Sequence, residues 1–259
     1  MRTDQLYATS GYVVLKGVVS DSIIDDYVSL YERDIRTSKQ EWFRQSGEYQ
    51  KNIFNKYGHV INSFLNPHKQ DHMPLFSENG DPDGAFAKKT EELASCKDIL
   101  DALTEIRLYG SHSLIQTMLF EQSIAPPHQD WVYLDSIPRG NLIAAWVALE
   151  DILDGAPKFY VIPGSQNYRR KFRADEIKSS YYMDEMAKYV ETIKDQTVVP
   201  EMKKGDVLFW NSRLIHGSLK GEDESISRPS LAAHFIPQGH EVGFFMETPP
   251  DSPDSDYAY

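Results

Sequence analysis

The chain has 259 residues, 41% of them hydrophobic and 25% charged, with a formal charge of −12 at pH 7. That length suits one large β-barrel or sandwich with a real core, and the acidity excludes a general binder of nucleic-acid backbones, which needs a surplus of Lys and Arg on one face. Cys96 is the single cysteine, which excludes an intramolecular disulfide, a thiolate-rich zinc site and a CxxC redox pair.

The first predicted strand is GYVVLKGVV (11–19), β-branched and bounded by glycine. A helix follows in SDSIIDDYVSLYERDI, with Ile23, Ile24, Tyr27, Leu30 and Tyr31 at helical spacing and Ser20 or Asp21 as its cap. Residues 36–90 are turn-rich. Within them, SENGDPDGAF has some calcium-loop composition but lacks the alternating oxygen ligands and the closing Glu. One or two helices are expected in 90–108, where Ser95 and Asp98 have capping-box spacing, with Cys96 a half-buried structural thiol.

From Ser113 the pattern turns to short strands: 113–120, 142–149, 158–162, 206–210 and 231–236, separated by Gly, Pro or Asp. Residues 167–195 interrupt them with helical periodicity. Helices first and strands after predict an α+β protein with a β-sandwich or barrel core. A single domain over 1–246 and an acidic, proline-rich, disordered tail over 247–259 complete the expected organisation. The N-terminus shows no basic-then-apolar leader, no apolar run is long enough to span a membrane, and no Asn-x-Ser/Thr acceptor occurs. The expectation is a reducing, cytoplasmic protein with no nucleic-acid or membrane partner.

The chemistry is sought in PPHQDWVYLD (126–135), which sets His128 two residues before Asp130. With 8 histidines in an Asp-rich chain, chance alone supplies roughly one His-x-Asp triplet. The pair is therefore open between two metal ligands and a polar loop. His216, at the end of the strand in KKGDVLFWNSRLIHGS, supplies a second imidazole. Two histidines and a carboxylate match the facial triad of non-haem Fe(II), whose three ligands occupy one octahedral face and leave three positions for a chelating co-substrate and O₂. Arg228 opens the next strand and is open between a bidentate pair with a dicarboxylate and a surface salt bridge to the preceding GEDES. Ser230, two residues on, would share its face in an extended strand.

The ordered set HQD, WVALEDILDGAPKFYVIPGS, KKGDVLFWNSRLIHGS and Arg228, together with the opening GYVVLKGVVSDSIIDDY, resembles the phytanoyl-CoA dioxygenase family of Fe(II)- and 2-oxoglutarate-dependent oxygenases over about residues 8–238. The resemblance implies a double-stranded β-helix, a jelly roll with helices packed on one side. It implies His128, Asp130 and His216 as catalytic iron ligands and Arg228 as the partner of the distal carboxylate of 2-oxoglutarate. Gln116 and Trp146 would border the co-substrate, with Ala144 on the same inward face as Trp146.

Two departures from the family pattern stand out: Gln166 replaces the usual histidine of the PGSH turn, and APKFY sets large residues where smaller ones are common. Lys158 and Phe159 are open between shaping the substrate pocket and packing the sheet edge. Trp131, Tyr133, Tyr181, Tyr182 and the aromatics of KNIFNKYGHVINSF are open between pocket or lid and core. The activity implied is hydroxylation of a small metabolite or natural-product intermediate with release of succinate and CO₂. Desaturation, epimerisation and ring formation use the same ligands, and the carboxylate of Asp130 argues against halogenation. A non-catalytic jelly-roll binder and a cupin-type metalloenzyme are the competing classes.

Overall fold

The computed structural model describes residues 2–67, 81, 84–107, 110–168, 172, 174–178 and 180–244. The β-branched and aromatic runs assemble into a six-stranded antiparallel sheet. Its spatial order is β1 (Tyr12–Leu15), β9 (Val207–Asn211), β7 (Ile143–Ala148), β11 (Ser230–Pro237), β5 (His112–Phe120) and β4 (Phe64–Leu65). Two-stranded ribbons complete the jelly roll: β8 (Lys158–Val161) with β10 (His216–Leu219), and β6 (Leu134–Ile137) with β12 (Glu241–Phe244).

Period-two alternation assigns the faces of the large sheet. Ala144, Trp146, Leu208, Trp210 and Ala232 pack with Leu134 and Val161 of the ribbons to form the inner core. Residues of opposite parity, among them Ile143, Ala145, Val147, Phe209, Leu231 and Ala233, form a second core. Against them lie Tyr7 of α1 (Thr3–Ser10), Tyr27 of α2 (Asp21–Leu30), Leu93 of α3 (Ala85–Ala94) and Leu103 of α4 (Lys97–Arg107). The sheet's central strands are thus buried on both faces, which is why they read as continuous apolar runs.

The predicted insertion is helical, as α5 (Ala174–Lys178) and α6 (Ser180–Ile193). Ile177, Tyr182 and Met186 pack with Tyr160, Ile162 and Ile215 in a third cluster. Tyr182 is fully buried while Tyr181 is exposed, so one of the two tyrosines is core. Ser20 is the N-cap of α2, without a side-chain cap bond. Cys96 is half-buried, and burial pushes its thiol up. The hairpin β2 (Trp42–Phe43) and β3 (Tyr49–Gln50) lies in the turn-rich segment. Most of SENGDPDGAF and the 247–259 tail lie outside the described residues.

The KKGD turn before β9 ties the N-terminal strand to the sheet. Asp206 accepts the backbone N–H groups of Gly17 and Lys203 and pairs with Lys16 at 2.9 Å. Gly205 has φ +84°, and a Cβ there would collide with the Val19 carbonyl oxygen. Gly205→Ala is expected to destabilise the fold by about 1–3 kcal/mol through strain in the left-handed region, read as a lower urea midpoint with unchanged slope.

Candidate metal centre and co-substrate pocket

Backbone pairing brings the two candidate histidines together. His128 and His216 form an antiparallel bridge, each N–H donating to the other's carbonyl at 3.0 Å. His216 opens β10 rather than trailing β9, so the ribbon fixes its direction. The ring centroids lie 4.3 Å apart.

Each ring also bonds its own chain two residues back, His128 Nδ1 to the Pro126 carbonyl at 2.8 Å and His216 Nδ1 to the Leu214 carbonyl at 3.0 Å. A carbonyl only accepts, so Nδ1 carries the hydrogen in both rings and Nε2 presents a lone pair. Both Nε2 atoms lie 3.4 Å from Asp130 Oδ1. Three acceptors therefore converge within 4.8 Å, an arrangement that a shared cation satisfies.

Asp130 begins a 3-10 turn, Asp130–Val132, and its second oxygen is separately engaged. Trp210 Nε1 donates to Oδ2 at 2.8 Å, and His234 Nε2 stands 3.6 Å from the same atom. Burial favours the neutral acid, but the surrounding histidines, when protonated, outweigh it and hold the carboxyl well below its ordinary range. Burial pushes the His216 imidazole down to about 4. Burial also opposes charge on His128, yet the Asp130 carboxylate and the Pro126 carbonyl carry its net shift upward.

A cleft of about 420 Å³ of empty space, counting its open mouth, adjoins the triad. Its walls are largely apolar, including Met118, Phe120, Ala125, Trp146 and Phe159, with Arg228, Ser218 and Gln45 as polar groups. Phe159 stacks on His216 with centroids 5.5 Å apart. Lys158 points outward to pair with Asp154, so the two residues of APKFY divide between pocket and edge.

Arg228 is 1% exposed. Its two terminal nitrogens donate to Ser218 Oγ at 3.3 Å and to the Ser123 carbonyl at 2.8 Å, while Nε has no hydrogen-bond partner among the described residues. The guanidinium lies 5.6 Å from the centroid of the Trp146 ring. Among the described residues no carboxylate pairs with it, and burial pushes it down to about 10, still a cation at neutral pH. The expected alternative of a surface salt bridge to GEDES is therefore not what the fold builds. The GEDESIS link is instead held by His59 Nε2 on the Ser225 carbonyl and Asn55 Nδ2 on the Glu224 carbonyl, and Arg228 N–H donates to the Glu121 carbonyl at 2.9 Å.

Several expected neighbours stand elsewhere. Ser230 is buried and bonds the Arg228 carbonyl at 3.4 Å, outside the cleft lining. Arg228 precedes β11, so strand alternation does not relate the two, and Ser218 is the hydroxyl at the guanidinium. Gln116 pairs with His234 across β5 and β11 and is likewise outside the lining. The 3-10 turn directs Trp131 away from the cleft, where its indole N–H donates to Gln129 and its face meets Arg139 and Arg213. Tyr133 donates to the Met183 sulfur and packs edge-on against Tyr182, while its ring centroid also lies 6.1 Å from that of His128, beside the metal centre. Trp146 and Ala144 do share the inner face. Gln45, Trp210, Ser218 and His234 escape the sequence reading, although alternation from His216 reaches Ser218 and alternation along β11 sets His234 inward with Ala232.

The phytanoyl-CoA dioxygenase (PhyH) family profile matches residues 7–225. Phytanoyl-CoA dioxygenase domain-containing protein 1 of Danio rerio is 22% identical over 273 residues, covering 92% of this chain and 90% of that protein. The epimerase SnoN, solved with Fe3+, alpha ketoglutarate and nogalamycin RO, superposes with a TM-score of 0.63 at 16% identity, covering 96% of this chain and 90% of its own. EctD from S. alaskensis, solved with 2-oxoglutarate and 5-hydroxyectoine, gives 0.62 at 17% identity, covering 95% and 79%. Among the described residues, no helix is long and apolar enough to cross a membrane.

Proposed function

This chain belongs to the phytanoyl-CoA dioxygenase family of iron- and 2-oxoglutarate-dependent oxygenases, and from that premise we propose that it hydroxylates a small metabolite or natural-product intermediate at a centre built from His128, Asp130 and His216. The observation that carries the reading is the convergence of two Nε2 lone pairs and one carboxylate oxygen on a common point. Two neutral imidazoles and one carboxylate are the donor set suited to non-haem Fe(II).

Bound iron, with 2-oxoglutarate and O₂, supplies the oxidising chemistry, and the balanced outcome is a hydroxylated product, succinate and CO₂. The protein's own contribution is positioning and exclusion of water. Arg228 and Ser218 receive the distal carboxylate of the co-substrate, a role supported by a buried cation with, among the described residues, a free Nε donor and no acidic partner. Trp146 lies beside the guanidinium and limits its approach to one side. Met118, Phe120, Ala125 and Phe159 keep the cleft apolar, so an apolar part of the substrate faces the reacting centre. Gln45, on the β2–β3 turn, accepts from Ser63 Oγ at 3.0 Å through its side-chain oxygen and offers its amide N–H groups to orient the substrate. A chain of charge −12 suits a small molecule better than the polyphosphate of an acyl-CoA.

Anaerobic addition of Fe(II) and 2-oxoglutarate is expected to give the weak visible metal-to-ligand charge-transfer band, which is lost in His216→Ala. Absence of the band in the wild-type protein would sink the proposal. Succinate release across a metabolite panel then identifies the substrate, and mass analysis of its product separates a gain of one oxygen from desaturation, epimerisation or ring closure.

A further inference from the structure

We propose that Trp210 and His234 are positioning residues that fix Asp130 as a one-oxygen metal ligand: the Trp210 N–H holds Oδ2 by a hydrogen bond and the His234 ring stands 3.6 Å from the same oxygen, so that only Oδ1 faces the histidine pair. The inference rests on the iron-site reading above. It begins with the unequal surroundings of the two oxygens: Oδ1 faces the Nε2 atoms of His128 and His216, while Oδ2 meets the Trp210 indole N–H and the His234 ring. Among the described residues, His234 Nδ1 is buried with no hydrogen-bond partner, and the ring's nearest charged neighbour is Asp130 Oδ2, 3.6 Å from Nε2.

The sheet register explains how two bulky rings reach one oxygen. Ala144 of β7 pairs with Trp210 of β9 on one side and with His234 of β11 on the other, so the three residues form one row across the sheet. All three are at most 2% exposed, and central strands hold side chains more firmly than loops do. The consequence is chemical. A carboxylate free to turn could place both oxygens on the metal and use a coordination position that the co-substrate and O₂ require.

The test is titration of the metal-free full-length protein with Co(II) alone, following affinity and the visible d–d spectrum. Trp210→Phe keeps a ring in the core and removes the N–H. It is expected to weaken Co(II) binding by roughly 10-fold or more, the range for loss of an outer-shell partner, and to change the d–d band as Oδ2 turns to the metal. His234→Leu is expected to act in the same direction, whereas His234→Gln, which offers an amide N–H at similar reach, restores wild-type affinity and spectrum. That His234 pair carries the decision alone if Trp210→Phe does not fold. Wild-type affinity and spectrum in both Trp210→Phe and His234→Leu, with Co(II) binding still lost in His216→Ala, would overturn the positioning role and leave the iron site standing. Failure of the wild-type protein to bind Co(II) would overturn the site and this inference together.

Discussion

Asp130→Ala is expected to weaken iron binding more than 100-fold and to reduce succinate release to background. The magnitude follows from what the side chain does. Asp130 is the anion of the triad, and its Oδ1 lies 3.4 Å from the Nε2 atom of each histidine. Removing a metal ligand costs more than removing an outer-shell partner, for which roughly 10- to 100-fold is usual. Asp130→Asn sharpens the reading because it keeps an oxygen to accept from the Trp210 N–H while cancelling the charge. If charge at the metal is what matters, both variants lose the charge-transfer band, and only Asp130→Ala also loses the acceptor for Trp210. That buried donor, left unpaired, lowers fold stability by about 1–3 kcal/mol, seen as an added fall in the urea midpoint of Asp130→Ala. Tight Fe(II) binding with an intact band in Asp130→Ala would place the metal elsewhere.

The core strands were legible because two-sided burial leaves a signature that needs no partner to recognise: IAAWVA in β7 and SLAAHFIP in β11 are apolar almost throughout. The strands β6, β10 and β12 were not, since LDSI, HGSL and EVGF are short and partly polar, and they become strands only through pairing with segments far away in sequence. The helix α1 escaped notice because TDQLYATS buries only Tyr7. At the site, His128, Asp130 and His216 could be singled out through ligand chemistry and order along the chain. Trp210 and His234 could not be tied to Asp130 that way, because their meeting depends on the row through Ala144, which is a property of register. Trp131 and Tyr133 show the converse. Adjacency to Asp130 in sequence suggested pocket walls, but a 3-10 turn rotates successive side chains by roughly a third of a circle; it carries Trp131 into the packing beneath α6 and sets Tyr133 between Tyr182 and His128.

Arg228→Met is expected to raise the 2-oxoglutarate requirement by roughly 10²-fold or more while changing Fe(II) affinity only a few-fold. A buried guanidinium gives a carboxylate two charge-assisted hydrogen bonds at about 1.5–3 kcal/mol each, and about 1.4 kcal/mol corresponds to tenfold in affinity. The same substitution should leave the ligand-free fold as stable as wild type, or more so. Arg228 is buried without an acidic partner among the described residues, and exchanging an unpaired buried charge for an apolar side chain of similar length removes a desolvation cost. Ligand-induced stabilisation separates these effects. At a 2-oxoglutarate concentration 100 times the wild-type Kd, the wild-type protein gains about 2.7 kcal/mol, and a variant weakened 100-fold gains about 0.4 kcal/mol. Arg228→Lys should not rescue the loss, because an ammonium cannot reach Ser218 Oγ, the Ser123 carbonyl and a carboxylate with the planar fork that Arg228 holds. Equal losses of iron and co-substrate affinity in Arg228→Met would instead make the residue a support of the metal centre, and its buried charge would then need a different explanation.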